Sequence, residues 1–417
     1  MGDAETLTRA AIETVWRIEA PRLIGGLVRF VRDVDHAEDL AQDALLVALE
    51  RWPDSGIPDN PGAWLMTTAK RRAIDDARRR AMMGGKHVEI ERTSPRWATL
   101  DEDALDDVVG DDVLRLMLTT CHPVLSREAR VALTLKLVAG LSTSEIARAF
   151  LTSEATIAQR LVRAKRTLGE ARVPFEVPTG PDLHDRVVPV LEVIYLVFNE
   201  GYAATSGGDW MRPALCDETM RLGRLLVGLV PQEAEAHGLV ALMELQASRA
   251  RARLGPGGEP VLLLDQDRRR WDRLLITRGL AALDRASSLA RPLGPYTLQA
   301  AIAACHARAR TAQDTDWPRI VALYDGLVEV TGSPVVELNR AVAVSMAFGP
   351  AQALELVDEL ADEPALRDYH LLPAVRADLL IKLGRNIEAR AELERAAGLT
   401  ENLRERALLL ARAEARG

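Results

Sequence analysis

The chain has 417 residues, with 53 basic and 61 acidic side chains and a formal net charge of −8. At 48% hydrophobic and 27% charged it has the composition of a globular protein of two or three domains, and aromatics at 4% with abundant Ala, Arg, Leu and Glu favour helix over sheet. Three widely separated cysteines (Cys121, Cys216 and Cys305) exclude a disulfide framework and fit a reducing cytoplasm. The start, MGDAETLTRA, lacks the apolar core of a signal peptide, and its Met-Gly-x-x-x-Thr match to a myristoylation pattern is read as chance. The longest apolar stretch, Val187 to Phe198, is too short to span a bilayer and carries Pro189 and Glu192, so no membrane role is expected.

In chain order, helical apolar spacing runs from Leu7 to Val34, from Ala37 to Leu49 and from Ala63 to Ala77. The loop PDSGIPDNPG (Pro53 to Gly62) separates the last two. Between Lys70 and Arg80 six basic residues occur, and Asp101 to Asp112 then holds seven acids in twelve positions. Such runs are usually solvated faces, but between two helical units the pair reads as a basic surface followed by an acidic linker at about 84–110. Three or four helices follow, ending near Leu168, and PFEVPTGPD (Pro174 to Asp182) marks a second boundary. Beyond it the pattern is helical again, broken at Thr205 to Asp209 and Leu254 to Pro260, with no continuous strand pattern.

The clearest chemistry lies in Leu141 to Leu168. Ser142 or Ser144 can cap a short helix that buries Ile146, Ala147 and Phe150, and Ser153 can cap a second. There Ile157, Leu161, Ala164 and Leu168 share one face, while Thr156, Gln159, Arg160, Arg163 and Arg166 lie opposite. This is a helix-turn-helix pattern, which places its second helix in a major groove. Arg and Gln suit base edges, and Arg163, Lys165 and Arg166 suit phosphates. An amphipathic hairpin with a solvated basic face is the competing reading. Leu151 departs from the motif, since it stands at a turn position where Gly is common.

In the helix of Asp33 to Trp52, Glu38, Asp39, Gln42 and Asp43 can share one exposed side while Leu40, Ala44 and Val47 face inward. An acidic side of that kind suits a basic partner helix. In the next helix Lys70, Arg71, Arg72, Arg78, Arg79 and Arg80 can neutralise phosphates. Asp75 is read as orienting an arginine. Trp52 and Trp64 can serve as stacking platforms for unpaired bases, but beside apolar helical positions the core is the favoured reading.

At these residues a resemblance becomes specific. The run Thr156 to Lys165 (TIAQRLVRAK) is similar to the promoter −35 reading helix of bacterial extracytoplasmic-function (ECF) sigma factors. DVDHAEDLAQDALLVALERW (Asp33 to Trp52) resembles the sigma helix that docks on the polymerase β′ clamp, and WLMTTAKRRAIDDARRR (Trp64 to Arg80) the helix that engages the −10 element. The resemblance covers about residues 10–170 and implies an all-α protein: sigma domain 2 at 1–83, an acidic linker at 84–110, and sigma domain 4 with its helix-turn-helix at 111–173. It implies core RNA polymerase (β′ clamp and β flap) and promoter DNA as partners. Docking then falls to Asp35, Glu38, Asp39, Gln42 and Asp43. The −10 element falls to Asp59, Asn60 and the basic residues 70–72 and 78–80, with Asp59 and Asn60 as candidates to receive a flipped base. The −35 element falls to Ser153, Thr156, Gln159, Arg160, Arg163, Lys165 and Arg166.

The rest of the chain resembles the helical extension of one ECF subgroup, here divided at 180–290 and 291–417. Ala341, Val344, Ala353, Val357 and Leu360 recur 36 residues on as Ala377, Leu380, Ala389, Leu393 and Ala396, with Gly349 and Gly384 in the intervening turns. Small-residue helix pairs at that interval look like tetratricopeptide (TPR) repeats, ordinary helix packing being the alternative. The extension is expected to regulate through an intramolecular contact or a protein partner, so that removing residues beyond about 178 leaves polymerase binding but alters transcription. Tyr195, Asn199, Glu200 and Tyr202 suit a pocket, an interface or a core equally. Cys121-His122 lacks metal-site spacing, and Gly255 to Gly258 lacks the Lys-Ser/Thr of a phosphate loop, so neither enzyme nor cofactor is expected. Two rivals remain: a stand-alone helix-turn-helix regulator with a TPR-like sensor, and a TPR scaffold.

Overall fold

The computed structural model describes residues 2–83, 112–150, 152–202, 211–255, 261–400 and 403–415. The fold is all-α, and no strand occurs among the described residues. Two compact units divide it, Met1–Val193 and Ile194–Gly417. The acidic linker, Leu151 and Thr205 to Asp209 lie outside the described residues.

In the first unit α1 (Gly2–Val31), α2 (Val34–Ser55) and α3 (Pro61–Met83) pack together. Asp33 caps α2, its carboxylate accepting the His36 N–H at 2.8 Å, and Asn60 Oδ1 accepts the Ala63 N–H at the start of α3. Leu23, Leu27, Leu40, Ala44, Trp52, Leu65 and Ala69 form the buried core. Trp52 is 2% exposed and meets Trp64 edge-on, ring centroids 5.2 Å apart. It is therefore a core residue and offers no platform to a base.

The helix α4 (residues 112–120) is followed by α5 (Arg127–Leu137), α6 (Thr143–Ala149) and α7 (Glu154–Glu170), with α5 and α6 both packed on α7. The division between the units falls inside α8 (Pro181–Tyr202). Its early turns are tied to the first unit, because Arg186 donates to the Leu118 carbonyl at 3.1 Å and Arg130 reaches Glu192 at 3.5 Å.

The second unit is built around α10 (Ala234–Ala247), which is buried on nearly all sides and packs with α9 (Pro213–Leu229), α11 (Arg273–Leu289) and α12 (Pro295–Arg308). Glu235 of α10 stitches it to α12: its carboxylate accepts the Tyr296 and Thr297 N–H groups at 2.7 and 3.2 Å and the Thr297 hydroxyl at 2.5 Å. Of the motif expected to form a pocket, interface or core, Tyr195 donates to Gln299 and Glu200 pairs with Arg212. Tyr202 stacks on Phe198 beneath the Arg253 guanidinium.

The remaining helices are α13 (Trp317–Thr331), α14 (Pro334–Ala347), α15 (Pro350–Glu359), α16 (Leu371–Lys382), α17 (Asn386–Leu399) and α18 (Leu403–Glu414), each packed on the next. Ala341 and Ala377, Ala353 and Ala389, and Val357 and Leu393 are pairwise buried, as their spacing requires. Gly349 and Gly384 hold φ of 111° and 77°, which favour glycine. The interval also recurs a third time: Arg340-Ala341, Arg376-Ala377 and Arg412-Ala413 are successive copies. Each arginine reaches back to an acid on an earlier helix, Asp325, Asp358 and Asp378 in turn.

Candidate functional site

The helix-turn-helix is locally determined. Ser142 is the α6 cap: its hydroxyl accepts the Glu145 N–H at 3.2 Å while Glu145 accepts the Ser142 N–H at 2.8 Å, a reciprocal capping box. Ser153 caps α7, its hydroxyl accepting the Thr156 N–H at 3.1 Å. Ile157, Leu161, Ala164 and Leu168 are buried as their spacing demands. Thr156, Gln159, Arg163 and Arg166 are exposed and Arg160 is half-buried. Arg166 is held loosely by Glu170 at 3.6 Å, and the Ser153 hydroxyl also bonds that of Thr156 at 2.8 Å.

Lys165 departs from its expected role on phosphate. Its ammonium turns toward α2 and bonds Glu38 Oε2 at 3.0 Å and the Asp35 carboxylate. Burial alone lowers the lysine's proton affinity, but hydrogen bonds and charge from Asp35 and Glu38 outweigh it and hold the ammonium above its ordinary pKa.

The acidic helix is likewise less exposed than its sequence implies. Glu38 has a 6% exposed side chain, with Lys165 on one oxygen and Lys136 at 3.8 Å from the other. Gln42 donates to the same carboxylate at 2.7 Å, and Asp43 pairs with Arg72 of α3. Asp39 is exposed and makes no hydrogen bond or ion pair among the described residues. Partial burial and the neighbouring Asp35 charge raise its pKa. Of Glu38, Asp39, Gln42 and Asp43, expected to share one exposed side, Asp39 and Gln42 are exposed, Asp43 is half-buried and Glu38 is buried, and all but Asp39 are engaged within the unit.

On α3, Arg71 is exposed and Lys70 half-buried; burial and the adjacent Arg29 lower the Lys70 pKa. The side chains of Arg78, Arg79 and Arg80 lie outside the described residues. Asp59 and Asn60 are exposed, although the Asn60 oxygen is spent on its cap. Cys121 is buried against the Thr134 hydroxyl at 3.2 Å, burial pushing its pKa up to about 11, and His122 Nδ1 accepts the Val124 N–H. Neither is arranged as a metal ligand, and no metal-binding group occurs among the described residues.

Comparison with known proteins bears directly on this arrangement. Residues 16–82 match the sigma-70 region 2 family and residues 115–168 the sigma-70 region 4 family. The ECF RNA polymerase sigma factor SigK of Mycobacterium tuberculosis (strain CDC 1551 / Oshkosh) is 30% identical over 155 residues, which is 35% of this chain and 78% of that protein. SigK of Mycobacterium ulcerans (strain Agy99) matches to the same extent. This chain belongs to the ECF sigma factors. As an alternative sigma factor it binds core RNA polymerase and promoter DNA and serves transcription initiation. The two sigma-70 region families that carry this assignment are not enzyme families. Residues 186–287 of the sigma factor match a family of unknown function. An uncharacterized protein of Rhizobium meliloti (strain 1021) is 45% identical over 392 residues, 93% of this chain and 92% of that relative. No solved structure matches the sigma factor significantly. No helix among its described residues is long and apolar enough to cross a membrane.

Proposed function

We propose that residues 1–83 form the sigma domain 2 that docks on the polymerase β′ clamp and engages the −10 element, and that residues 111–173 form the sigma domain 4 that reads the −35 element beside the β flap. The observation that carries this reading is the pairing of an exposed Asp39 on α2 with an exposed Thr156–Gln159–Arg163 side on α7, two separate recognition faces in family order. Gln159 suits a bidentate base contact and Arg163 a phosphate or a guanine edge. On α3, Arg71 and Lys70 supply salt-dependent attraction to promoter phosphates. Binding, with no covalent chemistry, is the mechanism, and the protein acts in the cytoplasm.

Residues 180–290 and 291–417 are proposed as an extension that regulates the sigma domains through its helical hairpins, which we read as TPR-like. A deletion that tests this is best cut after Val193, because Arg186 and Glu192 are bound to α4 and α5. The deciding experiment is co-elution of the purified protein with bacterial core polymerase, Asp39→Arg serving as control. Co-elution abolished by the variant is the expected result. Failure of the wild type to co-elute sinks the docking assignment.

A further inference from the structure

Two surfaces expected to face separate partners meet each other. Lys165 belongs to the helix that reads the −35 element and Glu38 to the helix that docks on polymerase, yet their side chains are 3.0 Å apart and 13% and 6% exposed. Lys136 of α5 and Asp35 of α2 complete the cluster, so helices from both sigma regions contribute. A second contact seals the same pair of regions. The Asp112 carboxylate, 2% exposed as a residue, lies 2.7 Å from Arg115 and 3.5 Å from Arg29 of α1. There the backbone of Asp112 sits so close to Gly25 that a Cβ on that glycine would stand 2.7 Å from the Asp112 carbonyl oxygen.

We propose that the chain rests in a closed state in which Lys165 of its own −35 unit occupies the Glu38 carboxylate on the polymerase-docking helix α2, and that Lys165 exchanges this carboxylate for promoter phosphate when polymerase opens it. The proposal rests on the docking and promoter assignments above.

The chemistry of the seam favours a switch over a permanent core. A buried ion pair contributes little net stability, because desolvation offsets most of its attraction, but it is specific to one alignment. An apolar seam of equal size would resist separation, whereas a charged one is exchanged readily for other charged partners. A cationic docking element on polymerase competes with Lys165 for Glu38, and DNA phosphate competes with Glu38 for Lys165. One lysine thereby couples the two binding events: each ligand removes the contact that opposes the other, and by linkage each strengthens the other. Thr156, Gln159 and Arg163 remain exposed in the closed state, as do Asp39 and Gln42, so closure engages the Glu38 and Asp35 carboxylates and leaves the rest of both recognition faces open.

The test uses the full chain with donor and acceptor dyes on Arg51→Cys and Glu170→Cys, positions exposed at the ends of α2 and α7; the three native cysteines are buried. Single-molecule energy transfer is expected to show a predominantly close population for wild type. Lys165→Gln is expected to lower the closed-to-open ratio about tenfold, Glu38→Gln to do the same, and the double variant to add little more. Lys165→Arg, which keeps the charge, retains the close population and controls for folding. Affinity for core polymerase without promoter is expected to rise in Lys165→Gln by a factor similar to the loss of closure. A wild-type distribution equal to that of Lys165→Gln, or unchanged polymerase affinity in that variant, overturns the proposal. Absence of any polymerase binding by wild type refutes the docking assignment instead, while the energy-transfer distributions still decide whether the chain closes.

Discussion

A methyl group added at Gly25 separates the two states without touching a charge. The three nearest heavy atoms to a Cβ there all belong to Asp112, and two of them are backbone, at 2.7 and 3.0 Å. A backbone cannot rotate aside as a side chain can, so α1 and α4 must part by several tenths of an ångström, which strains the Asp112 contacts with Arg29 and Arg115. Overpacking of this kind costs about 1–3 kcal/mol. Within α1 itself the change is favourable, since alanine exceeds glycine in helix propensity by about 1 kcal/mol, and that gain is common to closed and open forms. Gly25→Ala should therefore leave the thermal stability of the first unit level or higher while lowering the closed-to-open ratio by about 2 kcal/mol, roughly thirtyfold. The assay is small-angle scattering for the radius of gyration, with polymerase affinity as the second readout. A variant as compact as wild type and with equal affinity would refute the reasoning, because the close approach would then exist without consequence.

Gln159→Ala and Arg163→Ala should weaken promoter binding by the polymerase complex by about 1–3 kcal/mol each. The glutamine should relax base preference, whereas an arginine on phosphate lowers affinity for all sequences and flattens its salt dependence; footprinting over variant −35 elements separates the two. Glu235→Gln should lower the melting temperature of the second unit by several degrees, because three bonds to α12 lose their charged acceptor, at about 1–2 kcal/mol in all. Calorimetry measures it, and an unchanged transition would remove Glu235 as the stitch. His306 is buried beside Arg249 and Arg268, and burial first, then those charges, hold its pKa down to about 4. The unfolded chain takes up that proton near its ordinary 6.5 while the folded chain does not, so stability falls as pH drops from 6.5 to about 4, by up to roughly 3 kcal/mol. Urea melts across this range should slope for wild type and less for His306→Gln.

Much of the architecture was legible because helical spacing is local. Ile157, Leu161, Ala164 and Leu168 define the inner face of α7 by arithmetic alone, and the 36-residue interval places buried alanines at 341 and 377. The same arithmetic held an unused signal. Lys165 stands four residues after Leu161 and three before Leu168, within the buried seam, so its charge had to find a protein partner. Which partner was not legible, since Glu38 lies 127 residues away and periodicity on one helix says nothing about the helix it meets. The exposure of Asp39 beside a buried Glu38 is of the same kind, because a neighbour from another region decides it. Trp52 was ambiguous in sequence because a large ring suits a core or a stacked base equally, and Trp64 settled it by supplying an edge-on partner.

The arginines at 340, 376 and 412 carry a meaning for how such chains change over evolutionary time. Each ties its helix to an acid on an earlier one, and Arg376 also reaches forward to Glu392 of α17 at 3.0 Å, so the ties stay among nearby helices. The acids stand at different places in the interval, but each tie spans only nearby helices, so duplicating or excising one 36-residue module leaves no distant contact to be solved again. The extension can lengthen or shorten by whole modules in a single genetic event, while residues 16–82 and 115–168, tied to each other through Glu38 and Lys165, must change together.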